Sequence, residues 1–338
     1  MAFSPPIGRK NVLVTGGAGF IGSHLCDVLI RDANVICLDN LSTGDVANIE
    51  HLLQNPNFEF INHDITQPFQ WADYPELRRF KTHIQGVQEI YHLACPISKK
   101  HFEDYKIASI LTSSIGTKNI LDLAVASKAK VLFASSSALY GAKGLVSGRV
   151  SETDPCGVDH LTPTGAYDEG KRFSEAILYT YAATHGLEMK ISRLFRTYGP
   201  RMKIADGNLI PDMVNAALDG HDVELACGPE ETICLCYVAD AVDGLVKHMN
   251  SPVDVTLVNI GSDLAVPVFE VAELILRLTN TAAKVRCEPS LPPVKEAPVP
   301  DITRARQLLR WMPLTRLEDG LQKAIDDARS RRQRLRSF

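Results

Sequence analysis

The sequence lacks any long apolar run. No segment of the 338 residues approaches the eighteen or so uninterrupted apolar residues that a membrane-spanning helix needs. The opening stretch MAFSPPIGRK also lacks the apolar core of a secretory signal peptide. These absences argue against a membrane protein and against export, and they predict a protein that stays in the cytoplasm.

The sequence also lacks an excess of positive charge. With 36 Lys and Arg against 40 Asp and Glu, the net charge is −4, which argues against nucleic acid or an anionic membrane as the main partner. Residues 329–338, RSRRQRLRSF, are locally basic. We interpret them as a solvated helix end, because arginine suits the negative pole of a helix dipole.

Metal-binding spacing is absent as well. The eight cysteines are scattered along the chain, and the ten histidines show no ligand spacing. Cys234 and Cys236 form the one close pair, in the strand-like run ICLCYV, where alternation places both side chains on one face. We therefore predict reduced, mostly buried thiols and no metal site.

The first half of the sequence contains short apolar runs that alternate with helical patterns. The runs are NVLVTG, NVICLDN, FEFINHDI, VQEIYHLA and KVLFASSS. Their alternation with helices predicts an α/β fold with a doubly wound parallel sheet, the Rossmann arrangement. Residues 67–86 show no strand pattern, and we interpret them as a surface excursion.

The pattern loosens after residue 190. Helical patterns over IPDMVNAALDG, VPVFEVAELILRLT and LEDGLQKAIDDARSRR follow, with a proline-rich stretch between the last two. We predict a nucleotide-binding domain over residues 1–190, to which a segment near 233–250 returns. Residues 191–338 are expected mainly to form a smaller C-terminal substrate-binding domain, which closes over the carboxyl ends of the strands, where such sheets bind ligands.

A glycine-rich turn follows the first strand in NVLVTGGAGFIGSHL. Gly16, Gly19 and Gly22 allow a tight turn, close approach of the backbone to a pyrophosphate, and close packing of the helix whose N-terminus receives the anion. Asp39 ends the next strand, where a carboxylate accepts hydrogen bonds from ribose hydroxyls and repels a 2′-phosphate.

The alternative is a structural glycine turn with Asp39 capping a loop, but the combined context favours NAD as the cofactor. Asp64 is expected near the adenine, and HLA at residues 92–94 is expected along the cofactor. The predicted NAD-binding residues are Gly16, Gly19, Phe20, Ile21, Gly22, Asp39, Asn40, Asp64, Ile65, Leu93, Ala94, Tyr167 and Lys171.

A tyrosine and a lysine lie four residues apart in AYDEGKRFSEA, on one helix face. The ammonium of Lys171 is expected to lower the pKa of the Tyr167 phenol, which then serves as a base for a sugar hydroxyl as hydride leaves the carbon. Ser136, at the end of the strand in ASSSALYG, is expected to hydrogen-bond the reacting oxygen. Although an isolated Tyr–Lys spacing is usually a solvated pair, this context predicts Ser136, Tyr167 and Lys171 as the catalytic residues.

The motifs together resemble a known family. The blocks TGGAGFIGSHL, INHDI, YHLA, GTKNILDLA, SSSALYG, YDEGK and RTYGPRM occur in the order found in extended short-chain dehydrogenases/reductases of the nucleotide-sugar epimerase and dehydratase group. Among its branches the UDP-glucuronate decarboxylases are most similar. The resemblance implies a tightly held NAD that oxidises a sugar C4 hydroxyl, a nucleotide sugar as the small-molecule substrate, and a homodimer formed through a helix bundle.

Three positions depart from the decarboxylase pattern. Ala138 stands where that branch carries a glutamate that assists chemistry beyond C4, whereas epimerases commonly have a small or hydroxyl residue there. Ile233 stands where the family has an arginine that grips the diphosphate, and Arg196 replaces an asparagine. Arg196 either binds phosphate, as guanidinium groups do, or only caps a loop or pairs with an acid. The predicted substrate-binding residues are Ser137, Arg196 and Arg201.

Three functions follow from these residues. The favoured one is a nucleotide-sugar epimerase, and the alternatives are a UDP-glucuronate decarboxylase-like enzyme or a dehydrogenase or epimerase whose substrate lacks the usual nucleoside diphosphate. A non-catalytic NAD-binding protein is disfavoured, because it has no need of Ser136, Tyr167 and Lys171. Residues 99–101, Lys-Lys-His, either meet an anionic group or form a solvated turn.

Overall fold

The computed structural model describes residues 8–97, 102–141, 149–162, 164–204, 206–225, 231–288 and 298–336. The strands in these ranges are β1 (Lys10–Thr15), β2 (Ala33–Asp39), β3 (Phe58–Asn62), β4 (Glu89–His92), β5 (Lys130–Ser136), β6 (Arg149–Val150), β7 (Met189–Leu194), β8 (Thr197–Tyr198), β9 (Val223–Leu225), β10 (Thr232–Cys234), β11 (Cys236–Tyr237), β12 (Leu257–Ile260), β13 (Ala265–Pro267), β14 (Val285–Cys287) and β15 (Val299–Pro300).

The helices connect these strands and cover the sheet. They are α1 (Phe20–Leu29), α2 (Thr82–Gln85), α3 (Phe102–Leu111), α4 (Thr117–Ser127), α5 (Gly165–His185), α6 (Leu209–Leu218), α7 (Val238–Met249), α8 (Val268–Thr279), α9 (Thr303–Leu309) and α10 (Leu317–Arg336). A π-helical turn, Thr112–Gly116, joins α3 to α4.

The main sheet confirms the predicted doubly wound α/β fold. Its seven described strands follow the order β12-β7-β5-β4-β1-β2-β3, and every pair in it is parallel. The strand order reverses at β1, which lies between β2 and β4. Ligands of such sheets bind at this reversal, outside the carboxyl ends of the strands.

Hydrophobic cores lie on both faces of the sheet. Side chains alternate along a strand, so Val12 and Val14 of β1 belong to the cluster that contains Leu25 of α1, while Leu13 belongs to the opposite cluster with Leu121 of α4. Burial on both faces explains why the strand sequences are apolar runs instead of alternating polar and apolar residues.

The second half of the chain contributes to both the sheet and a smaller region. β7 and β12 complete one edge of the main sheet, whereas β9 pairs with β14, β10 with β13, β8 with β11 and β6 with β15 in separate two-stranded sheets. The helices α6, α8 and α10 pack against one another and contribute to one hydrophobic cluster, which contains Val268 of α8 and Leu321 of α10. The division of the chain near residue 190 stays a prediction.

Residues 67–86 are more than a surface excursion. They form 3-10 turns at Trp71–Asp73 and Pro75–Phe80 and then the short helix α2. Leu77 and Phe80 are buried in the core beside α4. The segment therefore packs on one face of the sheet through turns and a short helix, without forming a strand.

The cysteines follow the prediction only in part. The run ICLCYV is not one strand, because it divides at Leu235 into β10 and β11, which pair with different partners. Cys26, Cys37, Cys95, Cys156, Cys234 and Cys236 are free thiols. Cys287, however, is disulfide-bonded, so the prediction of reduced thiols throughout is wrong at this position.

The basic segment near the end of the sequence is a helix end, as predicted, and Gln333 and Arg334 in it are exposed, but the segment is not wholly solvated. It belongs to α10, and its guanidinium groups bind other elements. Arg332 pairs with Asp219 at 2.9 Å and donates to the carbonyl of Asn215 in α6. Arg331 pairs with Asp327 at 2.9 Å and donates to Asn48. Within the described part of the chain, no helix combines the length and apolar character required to cross a bilayer.

Candidate functional site

A cleft of about 2030 Å³ runs along the carboxyl ends of the strands. All the predicted cofactor-binding, catalytic and substrate-binding residues line it. The volume exceeds the several hundred to about 1,000 Å³ of a site for one small molecule. The cleft can therefore hold a dinucleotide and a second ligand side by side.

The glycine turn leaves no room for side chains. Gly16 has a φ of +72°, and a Cβ there would lie 2.9 Å from the Ala94 backbone. A Cβ on Gly22 would lie 2.1 Å from the Gly16 carbonyl oxygen. Gly19 precedes α1, and no side chain caps that helix. The free N-terminal N–H groups of α1 therefore face the cleft as an anion site.

Asp39 both shapes a loop and faces the cleft. Its carboxylate accepts hydrogen bonds from the Ala18 N–H at 3.0 Å and the Leu41 N–H at 2.9 Å. Burial raises the pKa of Asp39, and these backbone hydrogen bonds oppose the rise. Asp39 thus does cap a loop, as the alternative interpretation held. Its carboxylate also lines the cleft, where its remaining lone pairs can accept hydrogen bonds from a ligand.

The neighbouring loops bring the other predicted cofactor residues into place. Asp64 accepts hydrogen bonds from Thr66 and, at 3.1 Å, from the Asn40 amide. Burial acts to raise the pKa of Asp64, but these hydrogen bonds outweigh it and the pKa is lowered. Ala94 is fixed by a hydrogen bond from its N–H to the Thr15 hydroxyl at 3.2 Å.

The catalytic candidates lie where α5 packs on the end of β5. The Lys171 ammonium donates to the Ala134 carbonyl at 2.8 Å. The Tyr167 phenol lies close enough to Ser136 for the serine hydroxyl to act against the rise of the phenol pKa, and the Ser136 Oγ accepts the Ala138 N–H at 3.1 Å. The structure therefore brings Ser136, Tyr167 and Lys171 together, as their spacing predicts.

The expected effect of Lys171 on Tyr167 is wrong for the protein alone. Burial, followed by the nearby Cys95, raises the pKa of Tyr167, and the hydrogen bond from Ser136 opposes this only in part. The Lys171 ammonium lies 5.8 Å from the centroid of the tyrosine ring, and burial lowers its own pKa. The phenol is therefore protonated at neutral pH until further positive charge reaches it.

An ion pair below this site was not predicted. The Ser135 hydroxyl donates to the Glu175 carboxylate at 2.6 Å, and Arg193 of β7 binds the same carboxylate at 2.8 and 3.0 Å. Glu175 follows Lys171 by four residues, as Lys171 follows Tyr167. The four-residue spacing alone predicts that Glu175 lies on the same helix face as Tyr167 and Lys171. No pattern in the sequence predicts that it pairs with Arg193.

A buried histidine connects the sheet to α4. The His92 ring nitrogens are hydrogen-bonded to the Thr15 hydroxyl at 2.7 Å and the Thr117 hydroxyl at 3.1 Å. The chain of hydroxyls continues from Thr117 to Ser174 of α5 at 3.2 Å. Burial, with Lys171 nearby, lowers the pKa of His92 to about 3. The imidazole is therefore neutral, and its hydrogen bonds join β1 to α4.

The substrate side of the cleft differs from the catalytic end. Ser137 and Ala138 form its floor after β5. Arg196 lies half-buried on the wall, and burial lowers its pKa. Arg201 is ion-paired with Asp27 at 2.8 Å, and among the described residues no partner accepts from its buried Nη1. Ile233 is buried in the core and is not among the described residues that line the cleft.

Two further predictions concern this region. Residues 99–101 lie outside the described residues, so their contact with an anion stays a prediction. No group of three His, Cys, Asp or Glu side chains able to hold a metal ion occurs in the described ranges.

Comparison with known proteins agrees with these motifs. Residues 12–261 match the model of the NAD dependent epimerase/dehydratase family. UDP-glucuronic acid decarboxylase 1 of Xenopus tropicalis is 37% identical over 318 residues, covering 94% of this chain and 72% of that protein.

Solved structures of epimerases share the fold. The UDP-glucose 4-epimerase of Thermotoga maritima with UDP-glucose has a TM-score of 0.77 at 27% identity, and the match covers 95% of this chain and 99% of that one. The UDP-glucuronic acid 4-epimerase of Bacillus cereus in complex with NAD also has a TM-score of 0.77, at 25% identity and the same coverage.

The resemblance drawn from the motifs is confirmed, because a family model matches residues 12–261 and a relative at 37% identity covers 94% of this chain. The chain therefore belongs to the NAD dependent epimerase/dehydratase family and is an NAD-dependent enzyme.

Proposed function

We propose that this enzyme oxidises a carbinol carbon of a nucleotide sugar and returns the hydride to the same carbon, as an epimerase. The observation that carries the proposal is that Ser136, Tyr167 and Lys171 lie together at the end of β5, beside a cleft wall where Ala138 supplies no acid.

The proposed residue roles follow from the contacts. Bound NAD supplies the hydride acceptor and a positively charged nicotinamide ring. Tyr167 takes the hydroxyl proton as hydride leaves, and Ser136 holds the substrate oxygen. Lys171, fixed on the Ala134 carbonyl with its ammonium 5.8 Å from the centroid of the Tyr167 ring, would hold the cofactor ribose. Returning hydride to the opposite face of the keto intermediate needs no further acid.

Decarboxylation of UDP-glucuronate is the second candidate. It is favoured by the 37% identity to a UDP-glucuronic acid decarboxylase over almost the whole chain. A β-keto acid can also lose carbon dioxide with little assistance once C4 is oxidised. Ala138 in place of an acid and Ile233 in place of a diphosphate-binding arginine are the observations against it.

Incubation with UDP-glucuronate separates these candidates. Products from the wild type and from the Tyr167→Phe variant are resolved by anion-exchange chromatography and identified by NMR. A UDP-uronate of inverted C4 configuration supports the epimerase. Carbon dioxide and a UDP-pentose in equal amounts would replace it with the decarboxylase. If neither product forms, UDP-glucuronate is not the substrate.

A substrate without a nucleoside diphosphate is the remaining alternative. The substrate wall combines Arg196, Arg201 and Lys203 with the carboxylates of Asp206 and Asp212, so it is not uniformly cationic. Calorimetric titration with UDP tests this directly. Saturable binding supports a nucleotide sugar, and absence of binding in the presence of NAD would favour the atypical substrate.

We also propose a homodimer formed through α3 and α5. These helices pack side by side, and apolar side chains on both are exposed: Ile107 by 75%, Tyr179 by 68% and Phe173 by 47%. A second copy of the same surface would bury them. Light scattering should give a dimer for the wild type and a monomer for Ile107→Glu/Phe173→Glu, while a monomeric wild type would refute the proposal.

A further inference from the structure

Arg331 of α10 lies on the wall of the cofactor cleft. Its Nη2 donates to the Asn48 side-chain oxygen at 2.9 Å, although the two residues are 283 positions apart. The Asn48 amide in turn donates to the Ala18 carbonyl at 2.9 Å. The side-chain amide of Asn48 thus connects the Arg331 guanidinium to the glycine turn, where the pyrophosphate of NAD is expected to bind.

A set of polar contacts fixes the position of Arg331. Its Nε is 2.9 Å from Asp327, and the same Asp327 oxygen accepts the Arg201 N–H at 2.9 Å. Arg201 is paired with Asp27 of α1. The helix α10, the loop at Arg201 and α1 are therefore tied together around this side of the cleft, and the guanidinium is held in place before any ligand binds.

The segments beside the pyrophosphate position carry no lysine or arginine of their own. Residues 16–24 and 40–48 contain none, and the second segment contributes the carboxylate of Asp45. A pyrophosphate brings two negative charges. Lys171, the proposed catalytic cation, donates to β5, whereas Arg331 is paired with Asp327 and also donates to a cofactor segment through Asn48. Guanidinium groups bind phosphate oxygens through two parallel hydrogen bonds.

We propose that Arg331 is an NAD-binding residue, which closes the pyrophosphate side of the site and retains the cofactor between turnovers. A nucleotide-sugar diphosphate offers the same chemistry. The contact with Asn48, nine residues beyond Asp39, assigns Arg331 to the pyrophosphate of NAD.

The test compares Arg331→Gln with Arg332→Gln. Arg332 lies on the same helix and has the same charge, but it binds Asp219 and Asn215 instead of the cofactor segment. The amount of NAD that remains bound per protein chain is measured after the holoenzyme is desalted. Calorimetry on protein from which NAD has been removed then gives the Kd values for NAD, ADP-ribose, adenosine and UDP. ADP-ribose retains the pyrophosphate without the nicotinamide, and adenosine lacks both.

For Arg331→Gln we expect the Kd of NAD and of ADP-ribose to rise about tenfold or more, as for loss of a charged hydrogen bond. Adenosine and UDP should bind as to the wild type, and Arg332→Gln should keep wild-type values for all four. Arg331→Lys, which retains the charge without the planar fork, should recover part of the loss and serves as the main variant if Arg331→Gln does not fold.

Three results would overturn the assignment. Unchanged NAD and ADP-ribose affinity in Arg331→Gln removes Arg331 from the site. Weakened UDP binding with normal NAD binding assigns the arginine to the substrate. Equal loss of adenosine and ADP-ribose, together with a lower melting temperature than that of Arg332→Gln, shows that Arg331 only supports the fold.

Discussion

At the scale of single residues, Asp39 combines two roles. Its two oxygens hold the backbone of Ala18 and Leu41, and its charge faces the cleft where the adenosine ribose is expected. A neutral side chain of the same shape separates these roles, because an amide can still accept one backbone hydrogen bond but does not repel a phosphate.

Asp39→Asn and Asp39→Ala should both lose the discrimination between NAD and NADP. We expect the asparagine variant to retain more affinity for NAD, because it preserves part of the loop. Calorimetric titration of each variant with both cofactors measures the effect. Preference of the wild type for NADP would contradict the proposed role of the carboxylate.

Tyr167→Phe removes one hydroxyl from the proposed base. We expect turnover to fall by about a hundred- to ten-thousandfold, the usual contribution of a positioned acid–base group, while NAD binding remains. Because burial raises the pKa of this phenol, the wild-type rate should also increase with pH as the base form becomes populated. Steady-state rates against pH check both points, and near-normal turnover in the variant would exclude Tyr167 as the base.

At the scale of elements, the register of α5 on β5 determines the site. Three successive strand residues, 134–136, each face one helix residue, and these helix residues are spaced four apart: Lys171 faces Ala134, Glu175 faces Ser135 and Tyr167 faces Ser136. Only the Glu175 contact has no proposed chemical role. Its pairing with Arg193 joins the helix to the next strand, β7.

Glu175→Gln leaves the buried guanidinium of Arg193 without its counter-ion. Breaking one side of such a pair typically costs about 3–5 kcal/mol, so we expect a large fall in the free energy of unfolding. Glu169→Gln is the matched control, because Glu169 lies on the same helix and pairs with the exposed Arg172, a contact worth about 0–1 kcal/mol. Equal urea midpoints for the two variants would show that the buried pair does not fix the helix.

The sequence predicts the parts of this site that depend on local spacing. Glycines after a strand, a carboxylate at a strand end, and Tyr167 with Lys171 on one helix face all follow from residues close in the chain. The contacts of Glu175 with Arg193 and of Arg331 with Asn48 depend on how distant elements pack, and no periodicity encodes them. The pKa of Tyr167 was predicted wrongly because burial depends on the complete fold.

At the scale of the whole molecule, buried neutral histidines link stability to pH. Burial lowers the pKa of His248 to about 4, and its ring is hydrogen-bonded to Ser192 at 2.8 Å and the Val255 carbonyl at 3.1 Å. The unfolded chain binds a proton near the ordinary value of 6.5. The unfolded state thus gains protons first as pH falls, and the protein loses stability between pH 6.5 and about 4.

Over that pH range, the lowered pKa of His248 reduces the free energy of unfolding by about 3 kcal/mol. The lowered pKa of His92 reduces it further. His248→Gln should therefore show a shallower decrease of melting temperature with falling pH than the wild type, even if it is less stable at pH 7.5. His185→Gln is the control, because this histidine lies exposed at the end of α5. Parallel curves for all three proteins would exclude His248 as a source of the acid sensitivity.

The hydrogen bond between Arg331 and Asn48 also has a kinetic consequence. Contacts between residues this far apart form late in folding, because closing a long loop costs entropy before the contact offsets it. Early intermediates built from neighbouring strands and helices then lack a complete cofactor cleft and have little affinity for NAD. Added NAD should slow unfolding in stopped-flow experiments while leaving the refolding rate unchanged, since the ligand stabilises a state that forms only after the rate-limiting barrier.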